Sequence, residues 1–514
     1  MTEGKPRFGV NRSEHTRKRK DRDYSLRKNR KRRQLKKTRD EQMNKFNEKI
    51  LETSVSSIHE IIDALRSDDI EDQRDGLRGI RRLVSIEGGG PYDDIIECGL
   101  VGTLLRLCQD EDSDIAHDAL WCITNICSGT SEQCAAVVEQ NGHKVLIEIV
   151  DDLSNPGRIL HQAVWALTNI AGDCTRCRDL ILHEDGVYPV VRLLQHTREM
   201  AVQSRTVEVC IWCLSNFARG KPAPYFEDIS PCLSVIGEII KTGAIGQRNF
   251  ATWTLSYIAD VDTVSYIITI LEETDIIPTL VEHYQTNQYD NTAILRCIGN
   301  IASGHKDVLA QLIDEGVLEL LKTIFDQPQS PDSIQALWVL SNLVAASHDQ
   351  IQAVIDQGFI GRIVNFLLSE NSAIRQEALW VCSNICTLGS DEQKDYMVEV
   401  DVFSGLIEGL RSSEATNTIL AADALIALLK RGNTIGAEMG EDNPFLVLFE
   451  EYNGSQVADL VFQRSSSAAI IQRMTKLLGV IEQDAEGFED GMIDTDEEND
   501  DFEYNSDSDG ELDI

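Results

Sequence analysis

The chain has 514 residues, 42% of them apolar, and a formal net charge of −37. Its length suggests several domains, but no run approaches the ~20 apolar residues of a membrane span, and the charged N-terminus is unlike a secretory signal. Residues 51–481 carry a balance of −33, which disfavours nucleic acid or a membrane as a direct ligand and favours basic partners.

Residues 1–57 form a first region, flexible when free and strongly basic: residues 1–50 hold 19 Lys/Arg against 7 Asp/Glu. Arg17, Lys18, Arg19 and Lys20 come first. The segment LRKNRKRRQLKK follows, with Arg27, Lys28, Arg30, Lys31, Arg32, Arg33, Lys36 and Lys37. Such a segment buries too little apolar surface to fold alone. Within it no proline follows Pro6 and no glycine follows Gly9, so a helix can form on a partner from about Leu26. On residues alone this is a nuclear-targeting or nucleic-acid-binding arm.

Residues 58–482 read as helical throughout, with apolar residues at helical spacing, as in Leu104, Leu105 and Leu107 or Val145, Leu146 and Ile149. Gly99, Gly142, Gly186, Gly316 and Gly358 recur just ahead of apolar runs and suit helix-to-helix turns. Each unit is expected to hold a short helix, a glycine turn, a second helix, a polar link and a third helix. Seven third helices carry one motif: WCITN (Trp121, Asn125), WALTN (Trp165, Asn169), WCLSN (Trp212, Asn216), WTLSY (Trp253, Tyr257), RCIGN (Arg296, Asn300), WVLSN (Trp338, Asn342) and WVCSN (Trp380, Asn384). Their spacings are 44, 47, 41, 43, 42 and 42 residues, and they hold all six tryptophans. A period near 42 is that of HEAT and armadillo repeats, and the three-helix unit favours armadillo. Units around Leu77, Ala422 and Ala458 extend the array to about ten. The expected fold is all-α, a right-handed superhelical solenoid of about ten armadillo repeats. Residues 483–514 form an acidic tail expected to be disordered: from 482 onward there are 16 Asp/Glu and no Lys or Arg.

Residues four apart share a helix face, so each unit offers an indole beside an amide. Indoles plugging joints between repeats is the simpler reading. Against it, a buried Asn without partners costs about 1–3 kcal/mol, in six repeats. Facing a groove, the carboxamides can bind a peptide main chain while indole slots take Lys or Arg stems, at roughly 0.5–2 kcal/mol per cation–π contact. Tyr257 and Arg296 interrupt the series, which predicts a larger N-terminal and a smaller C-terminal site for basic peptides. Two basic clusters in one ligand could span both. The 13 cysteines suit buried thiols in a reducing compartment, and the CxxC of Cys174 and Cys177 lacks a second pair, so no metal is expected. No P-loop, HExxH or GxSxG motif is present, and neither enzymatic activity nor a cofactor is expected.

These residues resemble the importin-α family of nuclear import adaptors over nearly the whole chain: basic arm, armadillo repeats, acidic tail. The same Tyr and Arg irregularities, NICSGTSEQ (residues 125–133), NIAGD (residues 169–173) and KPAP (residues 221–224) carry the resemblance. It implies a major site for nuclear localisation signals lined by Trp121, Trp165 and Trp212, with Asn125, Asn169 and Asn216 holding the signal backbone. Asp173 and the Gly129 carbonyl would take the critical lysine, and Gln162 would line a neighbouring pocket. Arg296, Asn300, Trp338, Asn342, Glu377, Trp380 and Asn384 would form the minor site. The arm would bind importin-β, and an export receptor would recycle the protein between nucleus and cytoplasm through the nuclear pore. Cys134, Val209, Phe250, Lys306 and Gln335 depart from the family pattern; Lys306 and Gln335 weaken the minor site. Lys36, Lys37, Thr38 and Arg39, or Lys45, are interrupted mimics of a cargo cluster, so autoinhibition by the arm should be weak. The competing reading is an armadillo scaffold of the adhesion or cytoskeletal type, which usually has a basic groove and lacks the Trp/Asn ladder.

Overall fold

A computed structural model describes residues 58–486, apart from residues 68, 87–89, 201–203, 262, 287–289, 304 and 328–329. The basic arm, with the residues expected to bind importin-β and to mimic cargo, and the acidic tail lie outside the described residues. Among those, every regular element is a helix. The expected three-helix unit recurs, for instance as Ser131–Glu139, Gly142–Asp151 and Gly157–Asp173. The third helices form the spine: α1 (Ile70–Leu83), α2 (Ser113–Ile126), α3 (Gly157–Asp173), α4 (Ser204–Ala218), α5 (Ile245–Ile258), α6 (Asn291–Ile301), α7 (Ser333–Leu343), α8 (Ser372–Leu388), α9 (Ala415–Met439) and α10 (Ala468–Glu486). Each packs against the next in chain order, the nearest-neighbour stacking of an armadillo solenoid.

Local chemistry sets the helix starts. Asp112 accepts from the Asp114 and Ile115 amides to begin α2, and Asn371 accepts from Ala373 to begin α8. Thr130 with Gln133, and Ser390 with Gln393, close capping boxes on the first helices of two units.

The glycine turns divide into two kinds. Gly99 and Gly316 take left-handed backbone themselves, at φ 69° and 88°. In the Asn141–Gly142 and Asp185–Gly186 pairs the preceding residue is left-handed instead, at φ 59° and 54°. Glycine is needed there for space: a Cβ on Gly142 would lie 2.5 Å from Val137 Cγ1. One continuous apolar core of buried residues runs from Ile61 to Val480.

Candidate functional site

The Trp and Asn positions of the motif fall on successive inner helices, α2 to α8, and all six indoles are half-buried, leaving part of each ring at the surface. The asparagines sit deeper. Asn125, Asn216, Asn300 and Asn342 are buried, while Asn169 and Asn384 are half-buried.

Their amino groups have partners that the sequence did not reveal. Asn169 Nδ2 donates to the Thr124 carbonyl at 2.9 Å, Asn216 to Thr168 at 2.8 Å and Asn300 to Ser256 at 2.6 Å. Asn342 donates to Gly299 at 2.8 Å and Asn384 to Ser341 at 2.9 Å. Each acceptor lies one position before the motif's amide position in the preceding repeat. Four of the five are last-turn carbonyls that the chain's own amides pass over. Ala302 N bonds Ile298 O and Ser303 N bonds Asn300 O, leaving the Gly299 carbonyl between them for Asn342. Thr124, Ser256 and Ser341 are bypassed in the same way. Thr168 lies deeper, five residues before the end of α3. Four of the five carboxamides therefore close the C-terminal end of the inner helix before them, satisfying a carbonyl that helix geometry orphans, while Asn216 bonds a carbonyl inside α3. The cost weighed for a buried Asn without partners is thus avoided on the donor side, because each of these amino groups is bonded. The acceptor half differs, since Asn216 Oδ1 is buried with no hydrogen-bond partner.

The indoles also have internal neighbours. Arg81 of α1 lies over the Trp121 ring, 5.0 Å from its centroid, and Trp121 Nε1 donates to Ser85 Oγ at 2.9 Å. Arg81 also pairs with Asp118, so the first slot already holds a guanidinium of the chain itself. His161 meets Trp165 edge-on at 5.8 Å and lies 3.1 Å from Thr206 Oγ1. Burial, helped by Arg205 and His117, pushes the His161 imidazole down to about 4, so it is neutral at pH 7. Trp253 stacks on Tyr257 at 6.1 Å and donates to Asp290 Oδ2 at 3.0 Å.

Trp165, Asn169 and Asp173 lie at i, i+4 and i+8 on one face of α3. Asp173 is half-buried and accepts from Ser131 Oγ at 2.8 Å. Gly129 stands beside the capping box, where a Cβ would lie 2.0 Å from Gln133 Oε1. Gln162 lies behind this face, 3% exposed, with its amide donating to Thr124 Oγ1 at 2.8 Å. Glu377 is buried at 3% on α8, and Arg296 is half-buried on α6; both are engaged within the fold. Lys306 is exposed at the start of its helix and Gln335 half-buried on α7. Arg178, fully buried, donates to the Arg219 and Pro222 carbonyls at 2.9 Å each and so anchors the KPAP turn.

The fold also gathers a thiol cluster that sequence order hides. Cys134, Asp173 and Cys177 bring their Sγ and carboxylate atoms within 4.8 Å of one another, and Cys174 Sγ lies 3.0 Å from Cys177 Sγ. A hydrogen bond with Cys127 and burial hold the Cys134 thiol well above the ordinary range. The signal available in the sequence was register: Cys134 and Cys177 fall near the same turn of equivalent first helices, Ser131–Glu139 and Thr175–His183.

Comparison with known proteins agrees with this architecture. The armadillo/β-catenin-like repeat family matches residues 90–128 and 347–387. An importin subunit alpha-1b from Oryza sativa subsp. japonica is 30% identical over 56% of this chain and 53% of its own. An importin subunit alpha-3 from Arabidopsis thaliana is 28% identical over 61% of this chain and 60% of its own. The chain spans about half the length of the curated relatives it matches. An engineered protein solved by crystallography shares the fold, with a TM-score of 0.71 at 23% identity over 83% of this chain and 99% of that one. Laid over the repeat architecture, these matches support a divergent member of the importin-α family.

Proposed function

We propose that the chain is a nuclear import adaptor that binds basic localisation signals of cargo along the Trp/Asn face. The row Trp165–Asn169–Asp173 carries this reading: a part-exposed ring, a carboxamide and a carboxylate aligned on one helix face. The geometry refines how such a site works. With its amino group committed to the preceding helix, Asn169 offers its oxygen as an acceptor for a peptide N–H. Asp173, held by Ser131, takes a lysine ammonium, and flanking indoles sandwich the aliphatic stems. Trp121 and Trp212, with Asn125, Asn216 and Gly129, extend this major site; Arg296, Asn300, Trp338, Asn342, Glu377, Trp380 and Asn384 constitute a weaker minor one. Residues 17–20 and 27–37 bind importin-β, an export receptor returns the protein, and it shuttles between cytoplasm and nucleus through the pore.

The test is titration of the full chain with a Lys-rich peptide. Asp173→Lys should weaken binding on the order of 100-fold, since it replaces attraction by repulsion at a partly desolvated site. Trp165→Ala should weaken it about tenfold through the lost ring face. Affinity should fall as salt rises. Unchanged affinity in both variants would remove the basis of this assignment.

A further inference from the structure

We propose that Cys134, Cys177 and Asp173, with Cys174 as the fourth ligand, form a Zn2+ site at the C-terminal end of α3. Two observations converge on it. The ligand atoms of Cys134, Asp173 and Cys177 already lie within 4.8 Å of one another, although the residues come from two repeats. Cys174, the N-cap of Thr175–His183, places its sulfur 3.0 Å from Cys177. Tetrahedral zinc with thiolate bonds near 2.3 Å needs sulfurs about 3.8 Å apart, so binding would open the Cys174–Cys177 pair and draw the four ligand atoms together. A set of three sulfurs and one carboxylate suits Zn2+ and disfavours the hard ions Mg2+ and Ca2+.

Access is built in on one side. Cys134 and Cys177 are buried, whereas Cys174 is exposed and Asp173 half-buried. An ion can enter past Asp173 and Cys174 and release the thiol protons to solvent as it binds. The bound ion would tie Ser131–Glu139 to Thr175–His183 across the joint between successive repeats. It would also consume the Asp173 carboxylate. This last point rests on the cargo reading: zinc and a lysine ammonium then become mutually exclusive ligands of one carboxylate, and metal availability sets cargo affinity.

The full chain is titrated with Co2+ alone. The expected result is a single equivalent bound with sulfur-to-cobalt charge-transfer absorption and the strong visible bands of tetrahedral geometry, bleached by one equivalent of Zn2+. Cys134→Ser removes one of three thiolates and should lower both the charge-transfer intensity and the affinity. Cys174→Ser, at an exposed position, keeps the fold intact and should weaken affinity at least about tenfold. Cys386→Ser, buried in α8, serves as the control and should change nothing. A folded wild-type chain without thiolate absorption, or absorption and affinity unchanged by Cys134→Ser, overturns the site. Zn2+ at saturation should weaken binding of the Lys-rich peptide about tenfold or more, and unchanged peptide affinity overturns the exclusion. Metal binding with no peptide binding at all would sink the cargo reading and leave the zinc site standing; the opposite pattern would do the reverse.

Discussion

The N-terminal and C-terminal stretches of the ladder share one framework and differ in what is hung on it. In both, an asparagine of one inner helix closes the end of the helix before it: Asn169 on Thr124 in the first stretch, Asn342 on Gly299 in the second. One turn to either side the chemistry diverges. Four residues before the indole the first two N-terminal rungs carry His117 and His161 and the third Glu208, whereas the C-terminal rungs carry Ile334 and Gln376. Four residues after the amide, α3 ends in Asp173, whereas the C-terminal rungs have Ala346 and Leu388. The backbone-closing amide is therefore part of the stacking of α2 to α8, and the flanking turns are where the two stretches differ. The motif that looked most functional in the sequence has a structural job, and under the proposed function it has a second one that its neighbours would set apart.

The sharpest way to break this comparison is at Gly299, where the C-terminal framework has a constraint of its own. A Cβ there would lie 2.2 Å from Trp338 Cζ3, because the ring lies directly on the α6 backbone. Gly299→Val should cost about 2–3 kcal/mol by overpacking, read as a lowered urea midpoint. Thr168→Val, at the equivalent place in α3, should be milder. Equal losses would mean that the two stretches are packed alike.

The shared framework is tested by Asn169→Ala and Asn342→Ala. Each removes a donor from a carbonyl in the wall, so each should lower stability by about 1–2 kcal/mol. Only Asn169→Ala should also weaken a Lys-rich peptide strongly. A neutral Asn342→Ala would show that the hydrogen bond across repeats is dispensable.

The smallest expected effect concerns His161 and belongs to the N-terminal stretch alone. Its folded value, about 4, lies below the ordinary 6.5 because burial disfavours the cation. The unfolded chain thus takes up a proton first as pH falls. Stability from this group is complete above about 6.5 and is lost progressively towards pH 4. Thermal melts of His161→Gln should decline less steeply over that window than those of the wild type. An unchanged slope would remove His161 from the account.

Much of this molecule was legible in order of residues. The 42-residue rhythm, the helical periodicity around Leu104 and Leu146, and the series from Trp121 to Trp380 carried the repeat architecture, because nearest-neighbour stacking writes its period directly into the chain. The direction of the carboxamides was hidden. Nothing in WALTN distinguishes an amide turned outward from one bonded to Thr124, since the decision depends on which carbonyls the preceding helix leaves unpaired. Gly142 and Gly186 resembled Gly99 as turn glycines, yet they meet a demand for space while Asn141 and Asp185 take the unusual backbone. The thiol cluster was invisible for a third reason: Cys174 and Cys177 form half a site, and Cys134, 40 residues before Cys174, joins them only through stacking.

The carboxamide links all reach backward along the chain, which gives the array a grain, as overlapping shingles have. Asn125, with no rung before it, shows the fallback at the front: it donates to its own Trp121 carbonyl at 2.8 Å. A bypassed carbonyl such as that of Ser341 has no comparable substitute once Asn384 is cut away. Removing leading repeats thus leaves the remaining links intact, whereas truncation directly after α2, α5, α6 or α7 unseals the new terminus. Shortened forms of the protein should be sought by removing leading repeats.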